Sequence, residues 1–281
     1  MVELREVKVT RILNPTSIDL GEYVINPYKG CELSCLYCYV RSNRVVAKEK
    51  RPWGSYVDVR MNAPELLKKE LSSKKPKCVL LGSTTECFQP AEEQYQLMRK
   101  ILEILNEAKV NFVILTRSPY ICEYMSLLKE GFCRRVYFTI NRMKPVLKEY
   151  LEPKSPDFQE RFKAIDELFK HGISVVPYFS PLLPGISNFK GVFLRFPQAE
   201  TIEFEGLNFN LSTLPKIISV VSLVYPELQN LYEKMLIDKV FYESVWRSIK
   251  KEVAQEAALG KKDFHIYIHC FGNYFRNRHV S

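Results

Sequence analysis

Short apolar runs alternate with amphipathic stretches along most of this chain. Residues 22–26, 78–82, 110–116, 135–140, 173–179 and 202–209 are strand-like, rich in β-branched and aromatic side chains and bounded by turn formers. Helical periods lie between them. One helix is expected over 62–72, with Pro64 in its first turn. A second opens at Pro90 and sets Leu97, Ile101, Leu105 and Ala108 on one face, and a third begins at Ser118 or Pro119. A fourth has Ser155 as its cap, Pro156 as its first residue, Gly172 as its stop, and Phe158, Phe162, Ile165 and Phe169 as its core face. Residues 41–60 are basic and irregular. Strands joined by helical crossovers predict a parallel α/β architecture. Six of them are two short of a closed eight-stranded barrel, so residues 1–210 are expected to form a partial (β/α)6 TIM-type barrel. Residues 211–281 hold a helical stretch at 225–251 and a strand-like run at 264–271, and read as an α-rich C-terminal extension.

Composition narrows the setting. A chain of 281 residues that is 46% hydrophobic can build a large core. The longest apolar run, around 217–225, falls far short of the roughly 18 residues that suggest a membrane span. The N-terminus lacks a signal-peptide profile, so the expectation is a cytoplasmic protein without membrane contact. Thiols stay reduced there, and eight cysteines then point to metal or redox chemistry instead of disulfides. The net charge of +9 permits contact with nucleic acid without demanding it, because the basic residues are dispersed as on a solvated surface. Tyr274, Phe275, Arg276 and Arg278 mix rings and cations near the C-terminus, which suits either a single-stranded nucleic-acid surface or a docked tail.

The candidate chemistry starts at Cys31, Cys35 and Cys38, spaced C-x3-C-x2-C directly after the first strand. Three thiolates on one tight loop can hold three irons of a four-iron cluster and leave the fourth open. The competing reading is a zinc site, which usually takes four ligands; Cys78, Cys87, Cys122, Cys133 and Cys270 are isolated from the triplet. In parallel α/β folds ligands gather at the C-terminal strand ends. The segments expected there are 83–86, 116–118, 139–141 and 181–187, which are rich in hydrogen-bonding groups. His265 and His269 lie in a strand-like run, where four residues span roughly 13 Å, too far to share one ion. Glu203 and Glu205 alternate with apolar neighbours, facing either the barrel interior or solvent. Cys87, Tyr178 and Cys270 are candidates to pass a hydrogen atom, with packing as the plainer role.

The ordered motifs carry a family resemblance. The cysteine loop with Tyr37 before its last cysteine, together with 85–92, 115–118, 138–141 and 151–153, resembles radical SAM enzymes, and within them the spore-photoproduct-lyase-related group. The resemblance implies a [4Fe–4S] cluster on Cys31, Cys35 and Cys38 that binds S-adenosylmethionine at its open iron. Reductive cleavage then yields a 5′-deoxyadenosyl radical that abstracts hydrogen from a substrate. It also implies a low-potential electron donor such as a ferredoxin or flavodoxin. Thr85 and Arg117 resemble residues contacting the methionine part, Thr139 and Asn141 those contacting the ribose, and Tyr37 the aromatic near the adenine. Lyase-like repair or modification of nucleic acid is the alternative activity; a non-catalytic iron–sulfur or zinc module is the alternative class. Two departures stand out. Related chains usually carry Asp where Glu86 stands, so the longer side chain is expected to carry its carboxylate outward. The lyases that name the group have a cysteine after the second strand, where this chain has Ser83, with Cys87 displaced by four residues.

Overall fold

The computed structural model of the chain describes residues 2–43, 46 and 48–271, so the run at 274–278 lies outside the described residues. The chain forms two compact units. The first comprises Met1–Ser34, Arg51–Thr139 and Ser155–Val176; the second comprises Cys35–Lys50, Ile140–Lys154 and Pro177–Ser281.

The first unit carries strands β1 (Glu3–Val7), β2 (Asn14–Pro15), β3 (Tyr23–Ile25), β4 (Tyr28–Lys29), β5 (Tyr56–Arg60), β6 (Cys78–Leu81), β7 (Asn111–Thr116) and β8 (Cys133–Thr139). β3, β6, β7 and β8 pair in parallel in that order, with β2 antiparallel on β3. Val79, Leu80 and Leu81 of β6 are all fully buried. A continuous apolar run of this kind marks a parallel strand covered on both faces. The second sheet was not anticipated: β5 pairs in parallel with β1 and antiparallel with β4. Residues 56–60 lie in the stretch expected to be irregular. The polar residue in their middle, Asp58, is itself buried, held by Arg5 and Arg51 at 3.0–3.2 Å. Alternation of apolar and polar positions therefore gives no signal there.

Two helices follow the expected periods with shifted ends. The helix from Pro90 is broken into Pro90–Tyr95 and Leu97–Glu107 by Gln96, which takes φ 48°. The buried Glu92 carboxylate accepts from the Met98 amide at 2.9 Å, and so satisfies a donor at the start of the second piece. That piece buries Leu97, Ile101 and Leu105 as the spacing predicts, whereas Ala108 lies past its end. The helix expected from Ser155 runs over Phe158–Lys170, capped by Asp157 in a capping box with Glu160. Its buried face is Arg161, Ala164, Ile165 and Leu168, one residue around from the expected phenylalanines. After β7, Ser118 does cap the next element, but Pro119–Tyr124 is a tighter 3-10 turn.

The second unit is also parallel. Strands β9 (Val175–Leu182, from Pro177 onward in this unit), β10 (Thr201–Gly206) and β11 (Asp263–Tyr267) pair in that order. Phe179 stacks on Phe204 at 5.1 Å, with Phe189 edge-on to Phe204 at 6.0 Å. β10 stops at Gly206, where a Cβ would come within 2.7 Å of Trp246. The helical stretch expected at 225–251 is divided at Asp238. Helix Gln229–Ile237 ends there, and the Asp238 side chain caps helix Lys239–Gly260 by accepting from the Phe241 amide at 2.9 Å. Among the described residues no helix is long and apolar enough to cross a membrane.

Candidate functional site

The cysteine loop begins in the first unit and continues in the second, because the chain passes from one to the other at Ser34–Cys35. All eight cysteines are thiols and none is half of a disulfide.

In the first unit, β3 leads into Asn26, which is buried. Its amide oxygen accepts from the Thr84 amide at 2.9 Å and its Nδ2 donates to Ser83 Oγ at 3.3 Å. One side chain thus ties the end of β3 to the loop after β6. Gly30 has φ +94°, and a Cβ there would sit 2.3 Å from the Tyr56 carbonyl oxygen, so this turn admits only glycine. The peptide groups on both sides of Cys31 are gripped by the loop after β6. Thr85 Oγ1 donates to the Gly30 carbonyl at 2.6 Å, and Gln89 Oε1 accepts from the Glu32 amide at 2.8 Å. Gln89 Nε2 donates to Thr85 Oγ1 at 3.0 Å and joins the two grips. The Glu32 carboxylate accepts from the Ala91 amide at 2.7 Å. Cys31 is buried, and the Ser34 amide donates to its carbonyl at 3.4 Å.

Glu86 does not carry its carboxylate outward. The side chain is 7% exposed and turns inward, accepting from the Thr116 hydroxyl at 2.7 Å, the Arg117 amide at 2.9 Å and the Phe88 amide at 3.0 Å. Burial pushes its carboxyl up, and these bonds together with the Arg117 charge offset part of that rise. Arg117 follows β7 directly and is half-buried. Thr139 is the last residue of β8 and is buried. Cys87 is fully buried; burial, then Glu86, Glu92 and Cys31, push its thiol well above the usual range and hold it protonated.

In the second unit, Cys35 and Cys38 share one tight turn, in which the Cys38 amide donates to the Cys35 carbonyl at 3.3 Å. Arg41 Nε donates to the same carbonyl at 2.8 Å. Between the two cysteines, the Leu36 amide donates to the Leu151 carbonyl at 2.9 Å, at the end of helix Pro145–Leu151. Tyr37 is buried and its hydroxyl donates to Glu152, which is 1% exposed. Asn141 joins them: its Nδ2 contacts Glu152 Oε1 at 3.0 Å, the Ser180 carbonyl at 2.8 Å and the Tyr37 hydroxyl at 3.2 Å. With the amide nitrogen committed, Asn141 Oδ1 is buried and has no hydrogen-bond partner among the described residues. An orphaned buried acceptor is costly.

Between neighbouring strands, Glu205 of β10 accepts from Tyr178 at 2.9 Å and Ser180 at 2.6 Å of β9, and from His269 Nε2 at 3.2 Å. Burial alone would raise its carboxyl. The bonds from His269 and Ser180, the His269 charge and the Tyr178 bond outweigh burial and hold it below the usual carboxylate range. Burial, and then Cys38 and Glu205, push the Tyr39 hydroxyl up to about 12, although the residue as a whole is half exposed. β11 ends at Tyr267, short of the expected run to 271, so His269 lies past the strand, and its ring meets Glu205. Tyr178 is tied to Glu205, while Cys270 is exposed. The sequence pattern leaves Glu205 open between barrel interior and solvent, and it is half-buried; Gln89 and Glu152 have no role that the pattern assigns. Gln89 and Glu152 lie in the motifs at 85–92 and 151–153, whose pattern says nothing of which atoms they hold.

The donor set fits an open cluster. Three thiols lie on an eight-residue loop, and in a cubane each thiolate binds its own iron instead of meeting the others at one point. Among the described residues no group of three or more His, Cys, Asp or Glu side chains is gathered to hold a single metal ion.

The model of the radical SAM superfamily matches residues 25–189. An uncharacterized protein of Methanocaldococcus jannaschii is 30% identical over 255 residues, covering 89% of this chain and 95% of its own. An uncharacterized protein of Mycobacterium tuberculosis is 24% identical and covers 82% of this chain and 72% of its own. The solved structure of spore photoproduct lyase complexed with dinucleoside spore photoproduct aligns with a TM-score of 0.66 at 14% identity, over 95% of this chain and 82% of that one. That likeness shows the fold, a partial TIM-type α/β barrel. With the family model covering more than half of its length, the chain belongs to the radical SAM superfamily and is a radical SAM enzyme.

Proposed function

We propose that Cys31, Cys35 and Cys38 hold a [4Fe–4S] cluster, and that Tyr37, Arg117, Thr139 and Asn141 receive S-adenosylmethionine beside it. Together these cofactors supply a reductively generated 5′-deoxyadenosyl radical for hydrogen abstraction. The observation that carries the reading is the cysteine loop itself, which lies inside the matched segment. The protein's own residues place and shield. Tyr37 is fixed at its hydroxyl by Glu152, so the ring has one orientation. Asn141 turns its oxygen toward a donor such as a ribose hydroxyl, because its Nδ2 is spent on Glu152 and Ser180. Arg117 offers a guanidinium suited to a carboxylate. Thr85 was expected beside Arg117, but its hydroxyl already serves Gly30 and Gln89, which supports a scaffolding role. Residues 1–210 are proposed as the catalytic part and 211–281 as an extension of it. The family implies an electron donor, and we assign a ferredoxin or flavodoxin to that role.

The test is anaerobic reconstitution with iron and sulfide. The expected result is about four irons per chain and an electron paramagnetic resonance signal, after reduction, that changes when S-adenosylmethionine is added. One zinc and no iron would replace this reading with the structural module. A second reading, action on nucleic acid, is supported by the +9 charge and by a fold like that of a lyase solved with a dinucleoside photoproduct. It requires oligonucleotide binding that weakens steeply with salt; an absence of binding at low salt removes it.

A further inference from the structure

Cys31 stands apart from the other two cysteines in how its backbone is held. The carbonyl before it, on Gly30, and the amide after it, on Glu32, are bound by two side chains that are bonded to each other. Read in order, Thr85 donates to Gly30 at 2.6 Å, Gln89 donates to Thr85 at 3.0 Å, and Glu32 donates to Gln89 at 2.8 Å. The three bonds among these four residues close a ring around Cys31. Gln89 is fully buried and Thr85 is 8% exposed, so water does not compete for these bonds. Both ends of the Gln89 amide are used, its nitrogen as donor and its oxygen as acceptor. Outside the ring, the Glu32 carboxylate fastens the same turn to the Ala91 amide at 2.7 Å. The glycine demanded by the Tyr56 carbonyl closes the remaining side.

We propose that Gln89, acting through Thr85 and Glu32, is a positioning residue that presets Cys31 as the fixed corner onto which the cluster is built. The inference rests on the cluster reading above and adds a role that the cysteine spacing does not contain. Its physical basis is preorganisation. Ligands held in place by a rigid outer layer bind without first being ordered, and loss of that layer typically weakens metal binding by about 10- to 100-fold. A glutamine suits the task because a single planar group supplies one donor and one acceptor at fixed separation. Glutamate keeps the acceptor and loses the donor; leucine loses both.

The experiment compares wild type with Gln89→Glu, Gln89→Leu and Thr85→Val after the same anaerobic reconstitution. The readouts are the rate of iron transfer to a ferrous chelator, the paramagnetic spectrum of the reduced cluster, and the melting temperature of the metal-free protein. Gln89→Leu is expected to lose iron roughly 10- to 100-fold faster than wild type, with a changed spectrum. Gln89→Glu is expected to fall between the two, because it still holds the Glu32 amide. A merely structural role would lower the metal-free melting temperature and leave iron release and spectrum as in wild type, and that outcome overturns the proposal. Should Gln89→Leu fail to fold, the graded behaviour of Gln89→Glu and Thr85→Val decides: wild-type iron release in both overturns it. A wild-type protein that takes up no iron overturns the cluster reading and, with it, this inference. Iron uptake by wild type with indistinguishable variants overturns the inference alone.

Discussion

The two halves of the cysteine loop are held by different kinds of bond. Residues 26–34 are fixed by side chains that grip main-chain groups: Thr85 on the Gly30 carbonyl, Gln89 on the Glu32 amide, Asn26 on the Thr84 amide. Residues 35–41 have main-chain ties at Leu36 and Cys35 and one side-chain grip, Arg41 on the Cys35 carbonyl, but Tyr37 reaches into a cluster of polar groups. There Tyr37, Glu152 and Asn141 bond to one another, and Asn141 Oδ1 is left unmet. Glu205 gathers Tyr178, Ser180 and His269. The difference assigns tasks. Gripping the backbone fixes a loop and consumes the side chain that does it. A cluster with an unsatisfied acceptor and an ionised carboxylate keeps capacity for a ligand. On the function proposed above, the first half would seat Cys31 for the cluster, and the second would keep polar groups for a ligand.

The comparison can be broken by mutation, and the largest effect is expected at the seat. Cys31→Ala removes the thiol from the corner that Thr85 and Gln89 flank, and cluster assembly and S-adenosylmethionine cleavage are expected to be lost completely. A variant that still forms 5′-deoxyadenosine under reducing, anaerobic conditions refutes the assignment. Gly30→Ala keeps every thiol but forces a Cβ to within 2.3 Å of the Tyr56 carbonyl at φ +94°. Strain at such positions costs about 1–3 kcal/mol, so the denaturation midpoint should fall and iron uptake with it; an unchanged midpoint would show that the turn relaxes.

Effects in the second half should be smaller and should appear in ligand binding. Glu152→Ala strips the acceptor from the Tyr37 hydroxyl and from Asn141 Nδ2, in a site where unmet groups cost about 1–3 kcal/mol each. The expectation is weaker S-adenosylmethionine binding with iron content retained. Equal loss of both would erase the distinction between the halves. The smallest effect concerns pH. Glu205 is held below the usual carboxylate range, so its ionised form stabilises the fold above the unfolded-state value. That contribution disappears as pH falls through the depressed folded value. Glu205→Gln lacks it at every pH. The stability gap between wild type and Glu205→Gln should therefore be open near neutrality and close in acid; a gap independent of pH contradicts the assigned ionisation.

Much of the parallel fold was legible in the chain, because buried strands such as 78–81 are unbroken apolar runs and helices such as 97–107 keep a clean period. Legibility failed where a buried polar side chain replaced an apolar one. Buried Asp58 sits in an unread strand, buried Glu92 meets the amide that follows the break at Gln96, and buried Arg161 lies on the helix face where a phenylalanine was expected. The same limit applies to the site. The spacing of Cys31, Cys35 and Cys38 states a ligand number, and the motifs around Thr85, Arg117 and Asn141 mark where to look. No local pattern tells that Thr85 bonds a carbonyl 55 residues away. Nor does one pair Tyr37 with a carboxylate at 152. Long-range hydrogen bonds between single residues leave no period to read.

The most direct measurement is mass spectrometric detection of 5′-deoxyadenosine after the reconstituted protein is reduced with dithionite in the presence of S-adenosylmethionine. The account predicts 5′-deoxyadenosine and methionine in equal amounts from wild type and neither from Cys31→Ala. Iron-loaded, reduced wild type that leaves S-adenosylmethionine intact would contradict it.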